Sequence, residues 1–279
     1  MAEPKFIDAH AHVNFAAFDG DREEVIKKTL SDGVWMINVG TQSDTSKSAI
    51  ELAEKYEEGV YAIVGLHPVH TAKSYHDEAE LGEGGKAFTS RGEDFDVAVY
   101  EKLARHPKVV GIGECGLDYF RIGGEEEKVR QKEIFKQQIE LAIKVDKPLM
   151  LHIRNAYQDA LSILGSYASI NNSRLRGDVH FFAGTIAEAK SFLDLGFTIS
   201  FTGVITFAKE YEELIKFVPL NKILIETDCP YVTPAPYRGK RNEPLYVAEV
   251  AQKIADIKGL LVEEVGRQTV ENTRSLFGF

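Results

Sequence analysis

The stretch Phe6-Ile7-Asp8-Ala9-His10-Ala11-His12 opens on apolar residues and closes on two histidines. Side chains on a strand alternate between faces, so His10 and His12 share one. The run therefore reads as a buried strand that delivers two imidazoles to one end of a sheet. Seven further short runs follow it: Val34–Gly40, Val60–His67, Val109–Glu114, Pro148–Arg154, Asp178–Phe182, Phe197–Phe201 and Lys222–Asp228. Each is close to continuously apolar, as strands of a parallel sheet covered by helices are.

Helical patterns separate these runs. Thr45–Glu57 places Ala49, Leu52, Ala53 and Tyr56 at helical spacing, and Glu126–Val145 sets Val129, Ile134, Ile139, Leu141 and Ala142 among charges. Ala156–Leu164, Thr185–Leu195 and Tyr211–Phe217 follow the same scheme, and Leu245–Ile257 and Val262–Phe277 close the chain, split by Lys258-Gly259. Eight repeats of strand and helix predict an α/β fold closed into a TIM (β/α)8 barrel with C-terminal helices. The 279 residues are slightly more than one such barrel needs and predict a single domain over residues 1–279. About forty residues lie between His67 and the next strand, among them Leu81-Gly82-Glu83-Gly84-Gly85. So long a connection predicts an insertion at about 71–96, at the mouth of the barrel after strand three.

Composition narrows the function. With 33 basic and 43 acidic residues the net charge is −10, which argues against a broad nucleic-acid-coating surface but not against a small basic loop holding one strand end. No apolar run approaches the length of a membrane span, and the polar Met1–Lys5 start does not resemble a secretory signal, so a cytoplasmic protein is expected. The two cysteines, Cys115 and Cys229, cannot build a disulfide framework and read as small buried residues. Nothing points to an obligate protein partner.

Catalytic residues of a barrel gather where its strands end. There the sequence places His10 and His12 on strand one, Glu114 on strand four, His152 on strand five, His180 on strand six and Asp228 on strand eight. A lone histidine in a strand is most simply a hydrogen-bonded core residue. Four histidines and two carboxylates buried together would carry a heavy desolvation cost that coordination removes. Six ligands exceed the three of a mononuclear catalytic site and suit two divalent cations sharing a carboxylate. Nitrogen and oxygen donors fit zinc, manganese, iron or cobalt, with magnesium preferring oxygen; the sequence does not choose between magnesium, manganese and zinc.

The opening strand resembles the His-x-His strand of the amidohydrolase superfamily, and the chain resembles the TatD family of metal-dependent deoxyribonucleases within it. The resemblance rests on Gly65-Leu66-His67-Pro68, Gly113-Glu114-Cys115-Gly116-Leu117-Asp118-Tyr119, Leu151-His152-Ile153-Arg154 and Val179-His180-Phe181-Phe182-Ala183-Gly184. It continues through Glu226-Thr227-Asp228-Cys229-Pro230-Tyr231, Arg238-Gly239-Lys240-Arg241-Asn242-Glu243-Pro244, Asn272 and Leu276-Phe277. It implies a barrel of the metallo-dependent hydrolase type. It also implies that His10, His12 and Asp228 hold one metal, that His152 and His180 hold the second, and that Glu114 bridges them. Many amidohydrolases bridge with a carboxylated lysine; here Lys108 precedes strand four and Glu114 takes that place. The insertion is the clearest departure from the family and bears on substrate preference.

The expected activity is hydrolysis of phosphodiester bonds from a DNA end, single-stranded because a narrow mouth admits a strand more easily than a duplex. The alternative is an ester or amide hydrolase, such as an aminoacyl-tRNA deacylase. Asp228 is the expected general base and, with Glu114 and His67, completes the catalytic set. His67 reads either as a substrate or leaving-group contact or as a cap of the loop after strand three. Arg154 shares the face of His152 and reads as a phosphate fork or as an ion pair with Asp118. Glu226, two residues before Asp228, reads as a hydrogen-bond partner of a ligating histidine, or as a residue turned outward by a bulge. Arg238, Lys240 and Arg241 form a basic cluster; Arg238 and Arg241 are expected to bind substrate, with an ion pair to Glu243 as the other reading.

Overall fold

The computed structural model describes residues 3–73, 75–76, 88–89, 91–120, 122–170 and 175–279. Eight parallel strands form one sheet in chain order: β1 (Phe6–Ala11), β2 (Val34–Val39), β3 (Val60–Val64), β4 (Val109–Asp118), β5 (Leu149–Arg154), β6 (Gly177–Val179), β7 (Thr198–Phe201) and β8 (Ile223–Ile225). The ring closes where Ala11 bridges Cys229, with the Asp228 N–H donating to His10 O and the His12 N–H to Cys229 O, both at 2.9 Å. This is the (β/α)8 barrel expected from the sequence.

Helices α1 (Arg22–Ser31), α2 (Ser43–Glu54), α3 (Val97–Ala104), α4 (Glu125–Val145), α5 (Tyr157–Ile170), α6 (Ile186–Asp194) and α7 (Glu212–Phe217) cover the strands, followed by α8 (Val247–Lys258) and α9 (Val262–Phe277). The sequence reading lacked α1 and α3. Both are short; α1 is charge-rich and α3 follows the long connection, so neither offers a long apolar stripe. No helix among the described residues is long and apolar enough to cross a membrane.

The floor of the barrel is sealed by the end of the chain. Val270 of α9 packs with Ile7 and Trp35, and Phe277 packs with Ala9, Ile37, Val39 and Ile63. The ring of Phe279 stacks on Tyr61 at 3.8 Å. Asn272 donates to the carbonyls of Leu220 and Ile223, both at 2.8 Å, so α9 is also tied to the start of β8.

Of the expected insertion, the structure describes a short antiparallel ladder between Tyr75–His76 and Phe88–Thr89, and the segment Arg91–Asp96 that leads into α3. Leu81–Gly85 lies outside the described residues. The two roots of the insertion are joined: the Glu93 N–H donates to His70 O at 2.8 Å, and Arg130 bonds both Thr71 O and Asp94.

Candidate metal centre

Two register slips aim the key side chains. Against β2, the two-residue step from Met36 to Asn38 is matched by three residues of β1, from Asp8 to Ala11. Ile7 and Ala9 join the apolar floor, whereas His10 and His12 both turn toward Glu114, and His12 reaches the cavity. β4 slips in the same way between Ile112 and Cys115 against β5, and Glu114 sits in that slip. A bulge of this kind re-aims a side chain. Glu114 was expected at the end of its strand, but β4 runs four residues further to Asp118. His180 follows β6 directly and Asp228 lies three residues beyond β8, rather than within them, and His67 lies beyond β3 as the cap of the 3-10 turn Pro68–His70.

All six expected ligands and His67 converge. Glu114 stands between two imidazole groups. Its Oε1 lies 2.9 Å from His152 Nδ1, 3.2 Å from His180 Nε2 and 3.1 Å from His67 Nε2. Its Oε2 lies 3.4 Å from His10 Nε2 and 3.9 Å from His12 Nε2. Asp228 Oδ1 faces the second group, 3.4 Å from His12 Nε2 and 3.8 Å from His10 Nε2. The rings of His10 and His180 stack at 3.9 Å across the divide.

Partners outside the cluster fix the tautomers. His12 Nδ1 lies 2.9 Å from Val39 O, a group that only accepts, so it carries a proton and Nε2 is left free. His180 Nδ1 donates to Glu226 Oε1 at 3.0 Å, which leaves its Nε2 free as well. His152 donates from Nε2 to Asp118 Oδ2 at 2.8 Å, so its free nitrogen is Nδ1. His67 is reversed: its Nδ1 accepts the Val69 N–H at 3.2 Å, so Nε2 carries the proton and donates to Glu114. Coordination through that nitrogen would require an imidazolate. His67 is therefore a donor, not a ligand, and it caps its own turn at the same time.

The donor set fits cations. In the neutral rings, lone pairs of His12, His152 and His180 confront carboxylate oxygens, which is repulsive unless positive charge lies between. Burial disfavours charged imidazoles, yet Asp118 and Glu114 raise His152 to about 9, and Glu226 and Glu114 carry His180 well above its ordinary value. Burial likewise opposes ionisation of Glu114, but the surrounding imidazoles hold its pKa well below the usual carboxylate range. His10 and His67 are lowered by burial and by neighbouring histidines. The same field that draws protons onto these nitrogens would hold divalent cations. The buried His10 Nδ1 has no hydrogen-bond partner.

The cluster floors a cavity of about 420 Å³, lined by Phe15, Phe181, Tyr231 and Val232 on its apolar side and by Asp118 and Arg154 on its polar side. The Arg154 guanidinium lies 3.6 Å over the ring of Phe120. Asp118 accepts from His152 through Oδ2 and from the Phe120 N–H through Oδ1 at 2.9 Å.

Arg238 and Arg241, expected to touch substrate, do not line the cavity. Arg241 is held by Asp21 at 2.8 and 2.7 Å, by Glu243 at 3.2 Å and by Ala17 O at 2.8 Å, and it covers the ring of Phe18. The Glu243 pair was one of its two readings; Asp21 was not visible because it lies more than two hundred residues away. Arg241→Ala is expected to lower the unfolding free energy by about 1 kcal/mol, a melting shift of about 2–4 °C. The Michaelis constant should stay put; a change in it with unchanged melting would return Arg241 to the substrate site.

Several residues escaped the sequence reading. Asp8 accepts the Thr227 N–H at 2.8 Å and the Thr227 hydroxyl at 2.5 Å, pinning the loop that carries Asp228 to β1. Ser200 lies 2.7 Å from both Asp178 Oδ2 and Glu226 Oε2. Burial, and then the neighbouring Glu226, raise Asp178 to about 7. Asp118, named only as a partner for Arg154, shares strand parity with Glu114, and that spacing was a usable signal.

A sequence profile described as TatD related DNase matches residues 7–278. The chain belongs to the TatD-related DNase family. It is 38% identical over 273 residues to the uncharacterized metal-dependent hydrolase YabD of Bacillus subtilis, covering 97% of this chain and 98% of that one. It is 30% identical over 279 residues to the 3'-5' ssDNA/RNA exonuclease TatD of Erwinia amylovora, covering 97% and 99%. The crystal structure of the Escherichia coli TatD homolog YJJV superposes with a TM-score of 0.82 at 28% identity, covering 99% and 98%. This TatD-type chain is accordingly a metal-dependent hydrolase.

Proposed function

We propose that the enzyme hydrolyses phosphodiester bonds at the end of a single-stranded nucleic acid, DNA in the first instance. The reading is carried by Glu114, whose two oxygens face two separate imidazole groups. That is the arrangement of a carboxylate shared by two cations. His10, His12 and Asp228 would hold one and His152 and His180 the other, with Glu114 common to both. Bound divalent cations would supply Lewis acidity, acidifying a water and offsetting charge on a phosphoryl group. Manganese, zinc and magnesium all remain compatible with the donors.

The protein's own groups do the rest. Asp228 lines the cavity, and although burial opposes it, His12 keeps its carboxylate ionised, so it can take the proton of the attacking water. The His67 Nε2–H, which donates to Glu114 in this structure, would swing to the leaving oxygen when substrate is bound. Arg154, held over the Phe120 ring, lines the cavity, where a guanidinium can fork onto a phosphate. Phe15, Phe181 and Tyr231 offer apolar walls to a base or sugar and keep water from the reacting bond.

Treatment with a chelator should abolish release of mononucleotides from a single-stranded oligonucleotide, and manganese, magnesium or zinc should restore it. Persistent turnover in the chelator would overturn the metal reading. Restored hydrolysis of an aminoacyl-tRNA ester with no action on oligonucleotides would move the substrate to the deacylase class.

A further inference from the structure

The loops after β7 and β8 form one rim beside the cavity. The first contains the 3-10 turn Gly203–Thr206 and the second the 3-10 turn Ala235–Tyr237. The Ala235 N–H donates to Thr206 Oγ1 at 2.8 Å. A Cβ on Gly203 would strike Val232 O and the Pro234 ring, so the loops touch backbone to backbone. Val232 is itself a wall of the cavity. The rim therefore continues that wall outward.

On the rim stands Phe207, 46% exposed, with the Arg238 guanidinium 4.5 Å from its ring centre. Arg238 is steadied by donation to Thr233 O at 3.2 Å. Arg238 and Lys240 are exposed and, among the described residues, neither has an ion pair, whereas neighbouring Arg241 is paired with Asp21 and Glu243. Cations with no acidic partner beside a half-exposed aromatic ring stand out in a protein of net charge −10. They are what a single strand asks for: a ring to stack an unpaired base and cations for its phosphates. Bases stacked inside a duplex could not use the ring.

We propose that Phe207 and Arg238 form a ledge that holds a nucleotide of the same single strand, beyond the one whose bond is cut. The ledge rests on the nuclease reading above, and it makes the enzyme prefer strands long enough to reach it. The Phe207 ring stacks the base, while Arg238 and Lys240 meet the phosphates.

The test compares a thymidine dinucleotide with a thymidine hexanucleotide on the metal-loaded enzyme, and measures binding with a phosphorothioate-linked hexanucleotide. Phe207→Ala should raise the Michaelis and dissociation constants for the hexanucleotide about tenfold relative to the dinucleotide. Phe207→Trp should restore them. Arg238→Ala should flatten the salt dependence of hexanucleotide binding by about 0.7 in the log–log slope, one phosphate's worth. Equal constants for wild type and Phe207→Ala on the hexanucleotide would overturn the ledge and leave the nuclease reading standing. So would a loss equal for both substrates, which marks a folding role. If the wild type neither binds nor cuts either oligonucleotide, the nuclease reading itself fails.

Discussion

Glu114→Gln should reduce turnover by about a thousandfold or more and, on the two-cation reading proposed above, lower the occupancy of both cations together. The substitution keeps the size of the side chain and removes its charge. Glu114 is the common neighbour of His10, His12, His152 and His180, so neutralising it weakens both halves of the site at once. An amide also turns a donor toward nitrogens whose free lone pairs point inward. Elemental analysis of the purified variant, with a spectroscopic check that the barrel is folded, decides the matter. Normal metal content with normal rates would remove Glu114 from the bridging position. Loss of one equivalent of metal with the other retained would confine it to a single cation.

Glu226→Gln should be gentler and one-sided. Its Oε1 accepts from His180 Nδ1 at 3.0 Å and from the Phe181 N–H at 2.8 Å, so it sets both the tautomer and the position of a proposed ligand. A glutamine can offer its oxygen to only part of this set and brings a donor to Ser200. Removal of such a partner costs about 10- to 100-fold in metal affinity or activity. A metal titration should show weakening at the half of the site that contains His180, with excess metal recovering most of the rate. Weakening that is equal at both halves, or absent, would contradict the assignment of His180 to its own cation.

Much of this was legible in the chain because a histidine or carboxylate closing an apolar run marks the mouth of a barrel. An apolar run that ends in His10-Ala11-His12, Glu114, His152 or Asp228 therefore announces itself. Backbone register does not. Nothing in residue periodicity marks the slip between Asp8 and Ala11, yet without it the pair of histidines and the apolar floor could not both be served by β1. Gly113 and Gly65 were quoted only as parts of motifs. A Cβ on Gly65 would strike the Gly113 backbone, so the pair lets the end of β3 approach the slip in β4. Both readings of His67 came from its place at the end of strand three; that one ring serves as cap and donor together rests on its tautomer, set by a partner, the Val69 N–H, that only the fold supplies. Arg241 misled for the opposite reason: a basic residue in a loop near the mouth looks available until its acid, Asp21, arrives from the far end of the chain.

The plugged base, where Val270, Phe277 and Phe279 close over the lowest residues of β1, β2 and β3, governs traffic. A cylinder corked at the bottom has one doorway. On the nuclease reading, each liberated nucleotide must back out past the strand still waiting to be trimmed. Spent nucleotide and fresh strand then compete for the same passage, so accumulating product slows the enzyme by crowding its own exit.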